Sequence, residues 1–364
     1  MMNFLNRPRD LSLEEVLPLA NNPDLQLKYK IIEANLLGNL RLGLLLQNLD
    51  ILAGKTAKLY IDQFYKDARV VTAAIDNILI RNIFRPDSNI ILKSRINYVG
   101  KTSMEVGFRI EQDNKHIATC YFTMVARIGD INNDKGAILP TLQYIDKEEQ
   151  IRAKKAVERK NTYLKEMENT EGKLKCGNLA YLYKIYKETK SPSFNGKYME
   201  SFVMEGWERT FPEYKNPNQT IFGGYLARKS FELASLCSES ISSSRSIVAA
   251  VNRINFYHPV LIGDKLKYES KVIYTEGPFI CVESNINRIG RGEKKVSALT
   301  NSCHFTFINV DDKLQALNVE KVYPYSFEDY IKTVIAKETL KSLLMEESPL
   351  LLKDLTKNIS FNLD

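Results

Sequence analysis

The chain has 364 residues, which is enough for two medium-sized domains with real hydrophobic cores. Hydrophobic residues make up 44% and charged residues 26%, so the composition is that of a globular protein and excludes a disordered or fibrous one. The net charge of +7 suits an anionic small molecule or a solvated surface. It does not indicate a nucleic-acid partner, because no long basic run with interleaved aromatic residues is present.

The first 27 residues are predicted to be a leader, with one short helical turn over 13–17. As a mitochondrial presequence this leader is weak, because acidic residues follow its two arginines early. No apolar run reaches the length of a membrane span, and no secretory signal is visible. The five cysteines are scattered without Cys-x-x-Cys spacing, which predicts buried, reduced thiols in a reducing compartment.

The first strong helical signal follows Gly43. The residues after it are apolar on nearly every face, as is typical of a buried helix: Leu44, Leu45, Leu46, Leu49, Ile51 and Leu52. Asp50 lies inside this run. An acid in so apolar a helix is costly to bury unless it has a partner or a task. The alternative is that Asp50 lies on a narrow exposed stripe with Gln47 and Asn48.

From residue 68 to about 127 the pattern changes to strands, which are predicted over 70–75, 90–98, 104–110 and 117–126. One long buried helix followed by an antiparallel meander is a complete α+β unit. From residue 146 to 175, lysine, arginine and glutamate alternate with few large apolar residues, which predicts a solvent-facing helical connector. A short packed helix follows it over 179–189.

The same layout then returns. Asn216 lies in a turn, and the pair Gly223 and Gly224 opens a second helix that is apolar nearly all round. The backbone N–H groups at such a helix start can hold an oxyanion or a phosphate. Gly43 takes the place of Gly224, and Asn35 stands as far before Gly43 as Asn216 stands before Gly224.

The strands also return in the same order after the second helix. They are predicted over residues 246–251, 266–274, 279–286 and 300–308. The chain is therefore predicted to be two copies of one fold. Side by side, the copies would form one continuous sheet and bury both helices.

Several kinds of catalytic site are absent from the sequence. It has no Gly-x-Ser-x-Gly elbow of a serine hydrolase and no Walker-type phosphate loop. With only three histidines, a histidine-based metal site has little to build on, so no metal is expected. Catalysis is therefore expected to depend mainly on carboxylate, amide side chains and backbone dipoles.

The step from Asn216 through Phe222-Gly-Gly into a helix, with residues 251–264 after it, resembles the hotdog-fold acyl-coenzyme A thioesterases. The duplication resembles their double-hotdog members, over roughly residues 28–322. The resemblance implies an α+β protein with two hotdog domains in tandem, each a long buried helix wrapped by an antiparallel β-sheet. The expected boundaries are a leader over 1–27, a first hotdog over 28–135, a charged helical connector over 136–195, a second hotdog over 196–325 and a C-terminal helical tail over 326–364.

In this family an asparagine from the turn of one hotdog faces an acid on the helix of the other, with the thioester between them. By motif position, the resemblance pairs Asn216 with Asp50, and Asn218 in the same turn is the alternative to Asn216. The backbone N–H groups of Gly223 and Gly224 would polarise the thioester carbonyl. Asp50 would act as general base or as nucleophile in hydrolysing acyl-CoA to a fatty acid and coenzyme A.

The mirror-related site departs from this pattern. It would join Asn35 (or Asn39) with the position of Phe231, which cannot act as an acid. Glu232 is next along, but one helical residue is about 100° of rotation, so its side chain is expected to point elsewhere. The prediction is one working site per chain, with the second site degenerate or used for binding.

The resemblance further implies acyl-CoA as substrate and no cofactor. It implies a homo-oligomer, with a trimer of two-repeat chains as one arrangement, and a mitochondrial location, with the cytoplasm as alternative. Two rival functions share the fold. One is a non-catalytic acyl-CoA-binding or scaffold protein; the other is a hydratase or dehydratase, which usually relies on a histidine–acid pair that neither Asn35 nor Asn216 supplies.

Overall fold

The computed structural model describes residues 6–34, 36–129, 133–168, 176–216, 219–289 and 297–345. The helices are α1 (Pro23–Tyr29), α2 (Leu42–Ile61), α3 (Lys147–Glu168), α4 (Cys176–Thr189), α5 (Gly223–Glu239) and α6 (Phe327–Met345). The strands of the first half are β1 (Ser12–Leu17), β2 (Arg69–Ile80), β3 (Ile90–Val99), β4 (Ser103–Gln112), β5 (Lys115–Ile128) and β6 (Lys135–Gly136). Those of the second half are β7 (Lys197–Tyr198), β8 (Val203–Arg209), β9 (Arg245–Phe256), β10 (Lys265–Glu276), β11 (Phe279–Ile289), β12 (Ala298–Val310) and β13 (Val322–Tyr323).

One antiparallel sheet runs through both halves in the order β1-β3-β4-β5-β2-β9-β12-β11-β10-β8, with β6 paired to β5. The two halves join at its centre, where β2 pairs with β9 from Ala74 opposite Asn255 to Leu79 opposite Ala250. This pairing closes the edge that each half would otherwise expose. The predicted α+β architecture, with two copies forming one continuous sheet, is confirmed.

The central helices α2 and α5 pack against each other on one face of this sheet. Their contact is close because each has a glycine in its first turn. A Cβ on Gly43 would lie 3.2 Å from the carbonyl oxygen of Arg228, and a Cβ on Gly224 would lie 2.8 Å from the Cα of Gln47. Gln47 and Arg228 each stand four positions after the glycine of their own helix. The two contacts are therefore related by an approximate two-fold axis between the halves.

The backbone before the two helices supports the same alignment. Gly38 and Gln219 each lie five positions before the equivalent glycines Gly43 and Gly224. Both have a left-handed backbone, with φ of 74° and 64°. This conformation is common for glycine and unusual for glutamine. The two turns therefore share a left-handed residue at this position, although only the first has a glycine there.

A third helix in each half packs on the opposite face of the sheet. Helix α3 is held to β4 by Arg159, whose guanidinium donates to Glu105 at 2.6 and 2.9 Å. Helix α6 is held to β11 by Lys332, whose Nζ lies 2.6 Å from Glu283. The outer helices therefore belong to the packed structure of each half.

Each outer helix also has a buried carboxylate in its first turn that accepts backbone N–H groups. Glu149 of α3 accepts a hydrogen bond from the N–H of Ile145 at 3.0 Å, and Asp329 of α6 accepts one from the N–H of Ser326 at 2.9 Å. Both carboxylates are buried in the first turn of their helix, where they satisfy free N–H groups. The repeat thus extends through the outer helices.

The N-terminal segment differs from its prediction. Residues 13–17 form part of strand β1, which pairs with β3 at the edge of the sheet, so the predicted helical turn is wrong. Alternate side chains of β1 are exposed and half-buried, which is the period of a strand, and pairing with β3 outweighs the local helical preference. We propose that the first unit runs from β1 to α3 and the second from β8 to α6. Both are wider than the expected hotdog domains over 28–135 and 196–325.

Candidate active site

Asp50 lies where the two central helices meet. Its Oδ2 accepts a hydrogen bond from the backbone N–H of Gly224 at 2.6 Å, and its Oδ1 accepts one from the hydroxyl of Thr72 at 2.5 Å. A Cβ on Gly223 would lie 3.3 Å from Asp50 Oδ2. Asp50 is only 3% exposed, so the alternative of an exposed stripe is wrong. The structure thus brings together Asp50, Gly223 and Gly224 from different halves of the chain.

Asp50 caps a helix that has no cap of its own. Helix α5 begins at Gly223, and Phe222 at its N-cap position makes no side-chain capping hydrogen bond. The Asp50 carboxylate binds one of the free N–H groups there, at the positive end of the helix dipole. Among the described residues, the N–H of Gly223 has no hydrogen-bond acceptor. One N–H group therefore holds the carboxylate, and its neighbour can bind a ligand oxygen.

The surroundings tune the acidity of this carboxyl group. Burial raises the pKa of Asp50 from its ordinary value to about 6, while the hydrogen bonds from Thr72 and Gly224 lower the pKa and so limit the rise. An acid with a pKa of about 6 is mostly ionised at neutral pH and remains a competent proton acceptor there. The Asp50 carboxylate can therefore accept a proton at neutral pH.

Asn216 closes the loop that leads into α5. Its Nδ2 donates to the Thr220 hydroxyl at 2.8 Å, and its Oδ1 accepts the N–H of Thr220 at 3.2 Å. These hydrogen bonds lie within its own loop, and the pairing of Asn216 with Asp50 stays a prediction. Asn218, the alternative turn amide, lies outside the described residues.

The mirror-related position has lost its polar groups. Phe231 stands at the place equivalent to Asp50 and packs its ring against Phe305 and Phe307. In the matched strands, Val248 stands where the first half has Thr72. Neither the acid nor the hydroxyl beside it is therefore present.

The other residues named for that site have structural partners or lie outside the described chain. Glu232 forms an ion pair at 2.7 Å with Arg41 of the first half, which links the two halves, and a second at 3.0 Å with Arg228 of its own helix. Asn39 is buried, and its amide donates to and accepts from the backbone of its own loop. Asn35 lies outside the described residues.

Thr72 and Phe256 were not identified from sequence. The Thr72 hydroxyl donates to Oδ1 of Asp50. The ring of Phe256 packs beside Gly223, 3.2 Å from where a Cβ on that glycine would be. The sequence does carry a signal for Thr72. The matched position in the second half is apolar (Val248), just as the position that matches Asp50 is apolar (Phe231). Phe256 has no such signal, since an aromatic residue at a strand end is ordinary.

Other kinds of site find little support in the described ranges. Within them, no three or more His, Cys, Asp or Glu side chains are placed to hold a metal ion. No helix in those ranges is both long and apolar enough to cross a membrane. Cys120, Cys237, Cys281 and Cys303 are buried free thiols, as predicted, while the side chain of Cys176 is outside the description.

Comparison with known proteins agrees with this geometry. The thioesterase superfamily model matches residues 218–294, which include the N-terminus of α5. Human acyl-coenzyme A thioesterase 9, mitochondrial, is 28% identical over 326 residues, covering 83% of this chain and 72% of that protein. The Bos taurus protein of the same name is 26% identical, covering 92% and 78%. Mouse acyl-coenzyme A thioesterase 10, mitochondrial, is 25% identical with the same coverage. With its two fused α+β units, the chain has the double-hotdog architecture and resembles the mitochondrial acyl-coenzyme A thioesterases, acyl-coenzyme A thioesterase 9 among them.

Proposed function

We propose that this protein hydrolyses acyl-CoA thioesters to a free fatty acid and coenzyme A at the site between α2 and α5. The observation that carries the proposal is the buried carboxylate of Asp50 at the N-terminus of a helix from the other half of the chain. The names of the relatives support acyl-CoA as the substrate class. A thioester carbonyl at the N-terminus of α5 would lie next to both a base and a positive helix dipole.

Asp50 activates the attack on the thioester. It either removes a proton from the attacking water or attacks the carbonyl itself to give a mixed anhydride, which water then hydrolyses. Both routes require the ionised carboxylate. Activity should therefore rise with pH through about 6, the value to which burial raises the Asp50 pKa, and then level off.

The backbone N–H groups of the two glycines have different roles. The Gly224 N–H holds Asp50, and the Gly223 N–H has no acceptor among the described residues, so we assign the oxyanion role to Gly223. Asn216 orders the loop before them and, by family resemblance, orients the thioester or the water. Because Phe231 replaces the acid at the mirror position, each chain has one working site.

The names of the relatives support a proposal for the location of this protein. The relatives named above are mitochondrial by name, and we propose the same compartment for this protein, with the cytoplasm as the alternative. We also propose a homo-oligomer, with a trimer of two-repeat chains as one arrangement.

A panel of acyl-CoAs of increasing chain length, with released coenzyme A followed by a thiol reagent, tests the proposed hydrolysis. We expect release from at least one member of the panel. If no member is hydrolysed but acyl-CoA still binds, the protein is the non-catalytic acyl-CoA-binding alternative. Hydration of an enoyl-CoA without thiol release would support the hydratase alternative instead.

Replacing Thr72 by valine, the residue at the matched position of the second half, should move the pH profile. The hydroxyl of Thr72 lowers the Asp50 pKa, so its loss should shift the rising limb upward by about one pH unit, given the usual strength of a hydrogen bond to a charged group. The measurement is kcat/KM from pH 4.5 to 9. Thr123→Val on the neighbouring strand β5 is the control, because Thr123 lines a cavity with residues of α3 on the outer face. An unchanged limb in Thr72→Val would contradict this role.

A further inference from the structure

A partly buried polar cluster lies beside the first turn of α5, and the mechanism above does not use it. The hydroxyl of Tyr268 donates to Glu208 Oε1 at 2.7 Å, and the hydroxyl of Tyr225 donates to Glu208 Oε2 at 3.1 Å. Lys229, also on α5, has its Nζ 3.3 Å from the same carboxylate. Both tyrosine side chains are buried, at 6% exposed for Tyr225 and 3% for Tyr268. The cluster ties α5 to strands β8 and β10.

The cluster is attached directly to the candidate active site. Tyr225 follows Gly224, whose N–H holds Asp50. The ring of Tyr225 stacks on that of Tyr214 with centroids 4.0 Å apart and planes 16° from parallel. The carbonyl of Tyr214 in turn accepts the N–H of Phe222 at 3.0 Å. The residues on both sides of the glycine pair are therefore held in place.

The positions of the first half that are equivalent to Glu208, Tyr225 and Tyr268 are leucines. Leu44 follows Gly43 as Tyr225 follows Gly224, and Leu92 matches Tyr268 in the repeated strands. Leu17 pairs with the start of β3, as Glu208 pairs with the equivalent position of β10. In the first half, leucines are therefore sufficient to pack the region beside the start of α2, which faces Phe231.

Burying a carboxylate and two hydroxyls costs free energy that leucine avoids, even when the groups are hydrogen-bonded to one another. Among the described residues, this carboxylate with its two tyrosine hydroxyls lies beside the helix start that faces Asp50, and leucines occupy the three equivalent positions of the first half. A directional hydrogen bond fixes position more tightly than an apolar contact does. The difference between the halves therefore indicates that the start of α5 needs a fixed position relative to Asp50, whereas the start of α2 beside Phe231 does not.

We propose that Glu208, Tyr225 and Tyr268 are positioning residues that fix the first turn of α5 relative to Asp50. This inference rests on the proposed function. The network holds the N–H groups of Gly223 and Gly224 where the carboxylate and the thioester carbonyl need them. A misplacement of about 1 Å at such a site lowers turnover by about 100-fold.

Single variants Tyr225→Phe, Tyr268→Phe and Glu208→Gln test the inference and keep the shape of the side chain. Each tyrosine variant removes one hydrogen bond, and Glu208→Gln weakens both. We expect kcat to fall by about tenfold or more with KM changed less than about threefold. We also expect the rising limb of the pH profile to move above its wild-type position. The hydrogen bond from Gly224 lowers the Asp50 pKa, and a loosened helix start would weaken that bond.

Tyr274→Phe is the matched control. Tyr274 lies on the same strand as Tyr268, and its hydroxyl donates to Glu276 at 3.1 Å, but its ring packs in the cluster under α6. This variant should leave kcat and the pH limb unchanged. The inference is wrong if Tyr274→Phe lowers kcat as much as the three test variants do. It is also wrong if kcat of the test variants falls only in proportion to Tm while the pH limb does not move, because that result indicates a purely structural role.

A second readout separates this inference from the proposed function. The carboxyl signal of Asp50 can be identified in spectra by its loss in Asp50→Asn and titrated directly. If wild-type protein hydrolyses no acyl-CoA, the proposed function fails, and the Asp50 pKa in Tyr225→Phe still decides the positioning role. A raised pKa supports that role, and an unchanged pKa refutes it.

Discussion

Asp50→Asn should lower kcat by about 10²- to 10⁴-fold, the usual effect of removing a positioned acid–base group. The variant should still fold, because an asparagine oxygen can accept the Gly224 N–H while its amide donates to the Thr72 hydroxyl. Asp62→Asn at the end of the same helix is the control, since Asp62 forms only an exposed pair with Lys58. The assignment of Asp50 fails if the variant still hydrolyses acyl-CoA at near wild-type rate.

The same variant should be more stable than the wild type at neutral pH. Burial raises the Asp50 pKa to about 6 in the folded protein, above its ordinary value near 4. The unfolded chain therefore ionises first, and the folded state loses stability as the pH rises from about 4 to 6. A difference of about two pKa units corresponds to about 3 kcal/mol.

Urea unfolding of the two proteins at several pH values measures this effect. The stability advantage of Asp50→Asn should grow between pH 4 and 6, stay constant above about pH 7 and vanish below pH 4. Equal stability of the two proteins at pH 8 would show that the carboxylate is not buried in solution.

Gly224→Ala should disrupt both the helix pair and the site. The added methyl group would lie 2.8 Å from the Cα of Gln47 and 2.9 Å from the Cβ of Asp50, closer than any relaxed contact. Backbone atoms cannot rotate away, so α2 and α5 must separate, at a cost of about 1–3 kcal/mol. The shift also moves the Gly224 N–H relative to Asp50, and we expect kcat to fall by about 100-fold. Urea unfolding and steady-state kinetics measure the two effects.

Gly54→Ala is the control for this substitution. Gly54 lies within α2, and nothing lies within 4 Å of a Cβ built there. Alanine is the better helix former, so this variant should gain up to about 1 kcal/mol of stability and keep full activity. A Gly224→Ala protein that behaves like Gly54→Ala would contradict the close helix contact.

The duplicated core of the fold could be predicted because its signals are local and occur twice. A glycine that opens an apolar helix, followed by strands in a fixed order, appears in both halves. Asp50 was identifiable because a carboxylate is unusual in such a helix. The relation between Asp50 and the glycines of the other half also followed from the repeat, through the family resemblance.

The remaining elements depend on contacts that no local pattern reveals. Helix α3 was expected to face solvent because charged residues dominate it, yet Arg159 of that helix pairs with buried Glu105 on the sheet. Strand β1 becomes a strand by pairing with β3, far along the chain. The Glu208 cluster is assembled from β8, β10 and α5, and none of its members is unusual in its own segment.

The burial of Asp50 also bears on how such a chain evolves. If an ionised Asp50 weakens the fold at neutral pH, selection for stability alone favours its replacement by a neutral residue. At the equivalent position of the second half, Phe231 is apolar and packs against Phe305. A protein that used this fold only as a scaffold would have little reason to carry a buried acid in α2, so Asp50 favours the catalytic proposal over the scaffold alternative.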